Sequence, residues 1–336
     1  MLRRGAALSA EVRTPRVQVL VDGAVLPGVM AVDVHANNHL AADRFSLRMA
    51  TSVVPLDALE TPGARLDVQV GFGGSWTSLV QGAADSLALD PIHGVLDVEG
   101  RDLSALMIEA RVDETFANRT ASEIAEEFAL RHGLRPLVER TSTPVGRYYQ
   151  AEHDRLTLGQ FAKATTEWDL LSFLAGQEGF DLFMDGDALR FGPPAADGAI
   201  AVRREDCVSL QLEHALGLSR AIEVTVRSWG TRAGSAVVQR ARGGSGGSVW
   251  KHTLVRPNLA PDEAQRLADR ALADLVRHEW TAFATMPGEF EMTPRSRVAI
   301  GGTGTAWDRD YSVSELSRHL DVKRGFTQRL CLQGVR

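Results

Sequence analysis

Residues 167–191, EWDLLSFLAGQEGFDLFMDGDALRF, constrain the fold more tightly than any other stretch of this chain. Leu170, Leu171, Leu174 and Ala175 recur at helical spacing, with Phe173 at the edge of the stripe. Gly176 and Gly179 end the helical run, because glycine enters left-handed backbone at little cost. Phe180–Met184 then reads as a strand, Asp185-Gly186 as a hairpin turn and Ala188–Phe191 as the returning strand. The 25 residues therefore predict helix, glycine stop and two-stranded hairpin in immediate succession.

Strands dominate on both sides of this unit. Upstream, alternating segments run over Val17–Val21, Val29–Val34, Arg44–Met49, Leu66–Phe72, Trp76–Leu89 (with a bend at Gly82) and Val95–Gly100, separated by turns such as Asp22-Gly23 and Gly73-Gly74. Six short strands with tight turns predict an antiparallel barrel or sandwich. Residues 1–10 read as a loose arm. Downstream, Val208–Glu213, Ala221–Val226, Trp250–Val255, the region of Phe283, Arg297–Ile300, Tyr311–Ser317 and Phe326–Leu332 are strand-like, and Gly243–Ser248 reads as a hairpin tip. Pro261 opens a helix with Asp262 and Glu263 in its first turn, placed to suit the helix dipole. Its stripe of Ala264, Leu267, Ala268, Ala271, Leu272 and Leu275 runs to about Trp280.

Between the two strand-rich ends, helical patterns appear. Asp102–Met107 is a short helical or turn segment. Thr120 and Glu123 form a capping box, Ala121, Ile124, Ala125 and Phe128 the buried stripe, and Gly133 with Leu134 a Schellman stop. A second helix is expected from Thr157, where Thr157 and Gln160 repeat the capping spacing, with Phe161, Ala164 and Trp168 on one face. Gly192-Pro193-Pro194 and Asp197-Gly198 mark the exit of this region. The expected fold class is α+β, mainly β: two antiparallel β-barrel-like domains (11–108 and 199–336) with an inserted small α/β domain (109–198).

The bulk properties narrow the function. With 336 residues, 31 of them glycine, 44% hydrophobic and 24% charged, the chain has material for two or three globular domains. A net charge of −6 argues against a dedicated nucleic-acid surface, which is usually basic, but is compatible with DNA passing through a non-sticking channel. Cys207 and Cys331 lie far apart in apolar-alternating segments and read as buried structural thiols. The N-terminus lacks the apolar core of a signal peptide, and no apolar run approaches the ~20 residues of a membrane span.

Catalytic signatures are missing: there is no H-E-x-x-H, paired C-x-x-C, G-x-S-x-G or P-loop. His35 and His39 are four apart, but Asn37-Asn38 between them signals a bend rather than a metal-binding helix face. Asp33 and Asp43 lack calcium-loop spacing. Glu123, Glu126 and Glu127 could supply a hydrolase carboxylate pair, yet one has a capping role and the others fall on the polar side of their helix. Trp168 and Phe161 could line a pocket, although their spacing makes core packing the default. Gly71–Gly74 and Gly301–Gly304 lack the strand-to-helix setting of a nucleotide loop and read as hairpin turns. The expectation is therefore a non-enzyme with no catalytic, cofactor or metal residues.

Four regions, in order, resemble the late-control D baseplate hub proteins of phage tails and the hub portion of VgrG spikes. They are Gln81–Ser86 with Glu99–Ser104; Phe116–Ile124 ending in His132-Gly133-Leu134; the 167–191 unit; and Tyr311-Ser312-Val313 through His319 to Gly325-Phe326-Thr327. The helix from Pro261 fits as well, and the resemblance covers about residues 80–335. Within the third region Glu167-Trp168-Asp169 stands for the family's usual serine-aspartate step, and one place departs from the pattern: Pro294-Arg295-Ser296-Arg297, where relatives often have a proline-glycine turn. None of the matching residues has a chemical job, so the resemblance implies architecture.

What it implies is a virion or phage-like tail protein, made soluble in the bacterial cytoplasm: a homotrimer whose duplicated barrels meet a sixfold tail tube or distal tail protein on one face and a separate threefold central spike on the other. A tape measure protein and DNA passing through the channel without sequence recognition complete the implied partners. A separate spike is expected because the chain ends soon after its last predicted strand. The alternatives are a hub of a contractile injection or secretion system and, from another class, a peptidoglycan hydrolase using Glu123 or Glu127.

Overall fold

The computed structural model describes residues 14–112, 114, 116, 119–142, 144–145, 166–195, 198–229, 236–244, 249–256 and 259–335. The expected arm, the Thr157–Gln160 spacing with Phe161 and Ala164, Asp197 and Ser245–Ser248 lie outside the described residues.

Strand β1 (Arg16–Val21) turns at Asp22-Gly23 into β2 (Ala24–Leu26). Both turn residues have positive φ, 47° and 85°, the backbone that a two-residue hairpin with right-twisted strands demands. β3 (Val29–Asn37), β4 (Arg44–Ala50), the short helix α1 (Leu56–Leu59), β5 (Arg65–Phe72), β6 (Ser75–Asp90) and β7 (Val95–Asp102) follow. Alternation sends Val19, Val32, Leu47, Leu66, Val68 and Val98 inward, all essentially without solvent contact. At Gly82 β6 passes close to β7: a Cβ there would collide with the Arg101 carbonyl oxygen.

The middle region comprises α2 (Ala105–Glu109), α3 (Ala121–Arg131), β8 (Arg135–Val138), α4 (Glu167–Glu178), β9 (Asp181–Asp185) and β10 (Ala188–Gly192). The Thr120 hydroxyl accepts from Glu123 N at 3.3 Å, and the Glu123 carboxylate accepts from Thr120 N at 2.9 Å. At the far end, Leu134 N donates to the Ala129 carbonyl, the Schellman bond, with Gly133 at φ 65°. Thr120→Ala is expected to lower stability by about 1 kcal/mol in denaturant titration, and no shift in midpoint would remove the cap from this account.

Two expectations are corrected here. No helix runs unbroken from Thr157 through Trp168, because Thr166 is extended (φ −120°, ψ 162°) and itself caps α4 through a reciprocal pair with Asp169. The hairpin turn is Gly186-Asp187, with Asp185 paired to Ala188, since Gly186 supplies the positive φ at the first turn position. The sheet order is β8-β10-β9. β8 escapes prediction because Pro136 reads as a strand breaker; as an edge strand it tolerates the missing donor.

The last region holds β11 (Ile200–Arg203), β12 (Ser209–His214), β13 (Ala221–Trp229), β14 (Ala236–Gly243), β15 (Val249–Val255), α5 (Pro261–Val276), β16 (Trp280–Pro287), β17 (Arg297–Gly301), β18 (Asp310–Asp321) and β19 (Gly325–Gly334). α5 stops at Val276, and Trp280 instead opens β16. Ala264 and Ala268, not the leucines, are its deepest contacts, because small side chains let a helix settle closely on a sheet.

The chain is mainly antiparallel β, as expected, but its two strand-rich ends do not form two separate sheets. One sheet runs β12-β16-β19-β18-β3-β4-β7-β6-β5-β1-β2, with β17 against β18 and β11 parallel to β17. The junction is β3 against β18, from Ala31↔Asp321 to Asn37↔Glu315. Among the described residues no ladder joins β3 to β1 or β2, and none joins β11 to β12, so the described strands of neither half close into a barrel. Each half keeps a core of its own, one around Leu47 and Val68 and the other around Tyr311 and Leu332. Val70, Leu320 and Phe326 pack between them. α5 and the sheet β14-β13-β15 form a further small unit, in which β13 and β15 are parallel.

Candidate functional site

Where the β regions and the α/β region meet, charged side chains that the sequence gives no reason to group together are buried side by side. Asp43 follows the bend after β3, and its Oδ1 accepts from Asn37 N at 2.9 Å and Asn37 Nδ2 at 3.2 Å. Asp102 ends β7, and its Oδ1 accepts from the Ser104 backbone and hydroxyl at 3.1 and 2.5 Å. Arg295 reaches in from the turn before β17, with 19% of its side chain exposed. It donates to the Leu182 carbonyl at 3.3 Å, stacks 4.0 Å from the centroid of Phe183 and stands 3.9 Å from Asp181.

Burial dominates the electrostatics. Desolvation, reinforced by Asp102, pushes Asp43 up to about 7, and desolvation raises Asp102 to about 6. Asp181 is raised by burial, and Arg295 is lowered by it against the pull of all three carboxylates. Paired carboxylates with raised pKa are also the signature of acid–base catalysis, so space decides between the two readings. The enclosed volume between Asp43, Asp102, Trp168, Phe183 and Arg295 is about 10 Å³. That admits at most one water and no substrate. The cluster is a lock between three parts of the chain.

A second lock lies nearby. Glu167 opens α4 with a side chain only 1% exposed and receives Arg131 Nη1 and His132 Nε2, each at 2.6 Å, from the end of α3. The next residue, Trp168, is buried and donates from Nε1 to the Leu40 carbonyl at 2.7 Å. Leu40 is held at φ 60°, a left-handed backbone unusual for leucine.

The residues singled out in the sequence go to structural positions. Glu123 caps α3, and Glu127 pairs with Arg119 at 2.9 Å and Arg131 at 3.1 Å. His35 Nδ1 is 2.8 Å from Ser317 Oγ, and His39 pairs with Glu315 at 3.2 Å, so both fasten β3 and its bend to β18. Asp33 is bound 2.7 Å from His319, whose other ring nitrogen is 3.0 Å from Asp321. Among the described residues, no group of three His, Cys, Asp or Glu could hold a metal ion. Cys207 and Cys331 are free and half-buried rather than fully buried. Gly73 and Gly74 turn the β5–β6 hairpin, and Asp308 ties the 301–304 loop through Thr303 N and Gly304 N at 3.1 and 2.9 Å. No helix among the described residues is long and apolar enough to cross a membrane.

Sequence reasoning did not find the buried cation Arg318. Its guanidinium donates to the Glu289 and Met292 carbonyls at 2.8 and 2.7 Å, and burial lowers its pKa to about 10. It lies on β18 in the interval from Tyr311 to Thr327, and the inward strand phase is the one signal that could have marked it.

No protein-family model matches the chain, and no curated protein matches its sequence. Solved structures match it along nearly all of its length. The tail protein of Neisseria meningitidis MC58 superposes with a TM-score of 0.74 at 16% identity, over 95% of this chain and 96% of that one. The 43 kDa tail protein of prophage MuSo2 from Shewanella oneidensis gives 0.73 at 15% identity, over 96% and 98%. An Escherichia coli component of the type VI secretion system, described as structurally similar to the T4 bacteriophage tail proteins gp27 and gp5, gives 0.59 at 10% identity, over 95% and 77%. The chain has the fold of phage tail proteins, and the resemblance to tail hubs read from its residues holds at the level of fold.

Proposed function

We propose that this protein is a structural, non-catalytic hub of a phage or phage-like tail baseplate. The observation that carries the reading is end-to-end agreement with tail proteins, over 95–98% of both chains in the two higher-scoring comparisons. The interior supports it, because conspicuous charged groups are spent on locking layers together rather than on a substrate cleft. In this reading three copies close into a ring. The strand-rich regions of each copy, 11–108 and 199–336, act as two barrel-like modules around the 109–198 domain. Six similar modules then face a sixfold tail tube or distal tail protein, while the threefold face receives a separate central spike. A tape measure protein and DNA use the channel, without sequence readout. The match to a secretion-system component favours a second setting for the same part, the hub of a contractile injection system.

Light scattering and negative-stain microscopy test this directly. Three chains of 36.4 kDa give about 109 kDa, and averaged particles should be rings with threefold symmetry approaching sixfold. A species that stays at 36.4 kDa at every concentration would remove the ring.

A further inference from the structure

The unit built from β13, β14, β15 and α5 is an insertion, since β12 and β16, which flank it in sequence, pair directly with each other. One face of its sheet carries Ile222, Val224, Val226 and Ala241 against α5. α5 in turn has Arg270 close to Gly176 and Gly179 at the end of α4. The helix therefore stands between the sheet and the α/β region, and the other sheet face turns outward.

That outward face has an unusual makeup. Strand pairing places Arg227, Arg240, Arg242 and Lys251 on it, all exposed, with Glu223 as its acid, held by Arg242 at 2.9 Å. Trp229 (51% exposed), Val238, Val249 and Val255 lie among them. Four cations and one acid make the face net +3, on a chain whose total is −6 and whose remainder is therefore −9. Tryptophan and arginine with few acids is the composition of a protein-docking surface. Exposed valines beside a tryptophan on an ordered sheet are costly unless something covers them.

We propose that this face docks onto an acidic surface of a second copy of the chain. The charge pattern supplies the argument: the remainder of an identical copy carries the opposite net charge, −9, so every assembly of this protein brings acidic groups in excess to meet the face. The same pattern excludes the face from meeting itself, because four cations would oppose four cations. The contact therefore joins unlike surfaces of two copies, and repeated around a rotation that closes it builds the ring. Three strands of this length present on the order of 400 Å², about half of what one side of a stable interface supplies. The face is thus the anchor of the contact and not its whole extent. This inference deepens the ring proposed above, and rests on it for the number of copies.

The test uses the full chain, the charge-reversal pair Arg227→Glu with Arg240→Glu, and the separate variant Trp229→Ser. Circular dichroism and thermal midpoints establish that each is folded; because all three sites are exposed, Trp229→Ser provides the readout should the double variant misfold. The expected result is a wild-type ring that loses mass at high ionic strength, and a threefold lower mass for the double variant, with partial dissociation for Trp229→Ser. Folded variants that keep the wild-type ring mass would overturn the docking face while leaving the hub reading intact. A monomeric wild type would overturn both. Retention of a DNA duplex on the wild-type protein, abolished by the double variant with no change in ring mass, would assign the face to nucleic acid instead and also overturn the proposal.

Discussion

Replacing Arg295 by methionine is expected to destabilise the protein by about 3–5 kcal/mol at pH 8, and by much less at pH 5. Methionine keeps the apolar bulk over Phe183, but Asp43 and Asp102 lose the cation that faces them inside the junction. At pH 8 both carboxylates are ionised, and a buried charge without its partner is costly. At pH 5 both are protonated, because their folded pKa values are about 7 and about 6. The wild type carries the same linkage. A carboxyl whose folded pKa is raised binds protons more tightly in the native state, so its contribution is fully present below the unfolded value near 4 and is lost as pH rises through 6 to 7. Asp43→Asn keeps an oxygen for the Asn37 donors and removes one titrating group. Its thermal midpoint should change less between pH 5 and 8 than that of the wild type. Equal destabilisation by Arg295→Met at both pH values would disprove an electrostatic role for this junction.

Glu167→Ala is expected to cost about 3–5 kcal/mol, the range for breaking a buried ion pair from one side. The change strands His132 and removes one carboxylate from Arg131, and it leaves a void where α3 meets α4. Glu167→Gln keeps the shape and one acceptor oxygen, so its loss should be smaller, about 1–3 kcal/mol. Equilibrium denaturation of the two variants separates charge from volume. If Glu167→Ala shifts stability by less than ~1 kcal/mol, the carboxylate does not bridge α3 and α4.

Neither Arg295 nor Glu167 announces its role in the sequence. Read locally, each is only a polar residue in a turn or a first helical turn. Their partners lie far away in the chain: Asp43 and Asp181 for Arg295, and Arg131 with His132 for Glu167. No sequence spacing connects such groups. Trp168 illustrates the halfway case. Its ring is in the core, as expected, but on a helix that begins at Glu167 rather than in phase with Phe161 and Ala164, and nothing local pointed its indole N–H at the Leu40 carbonyl. The interpretation of Glu123 was legible in full, since a capping box is complete within four residues.

The sequence by itself settled what depends on neighbours along the chain. Alternation located β1, β3 to β7 and most later strands, Asp22-Gly23 and Gly73-Gly74 set their turns, and Thr120 with Gly133 bounded α3. These features are encoded by side-chain period, backbone sterics and hydrogen bonds that close within a few residues. The tertiary structure alone decided that β3 pairs with β18, that β13 to β15 leave the main sheet with α5, and that Asp43, Asp102 and Arg295 share one buried junction. A strand's alternation states which side faces a core, but any strand of matching phase satisfies its backbone donors and acceptors. The choice among them rests on the free energy of burying whole surfaces together, which no single segment contains.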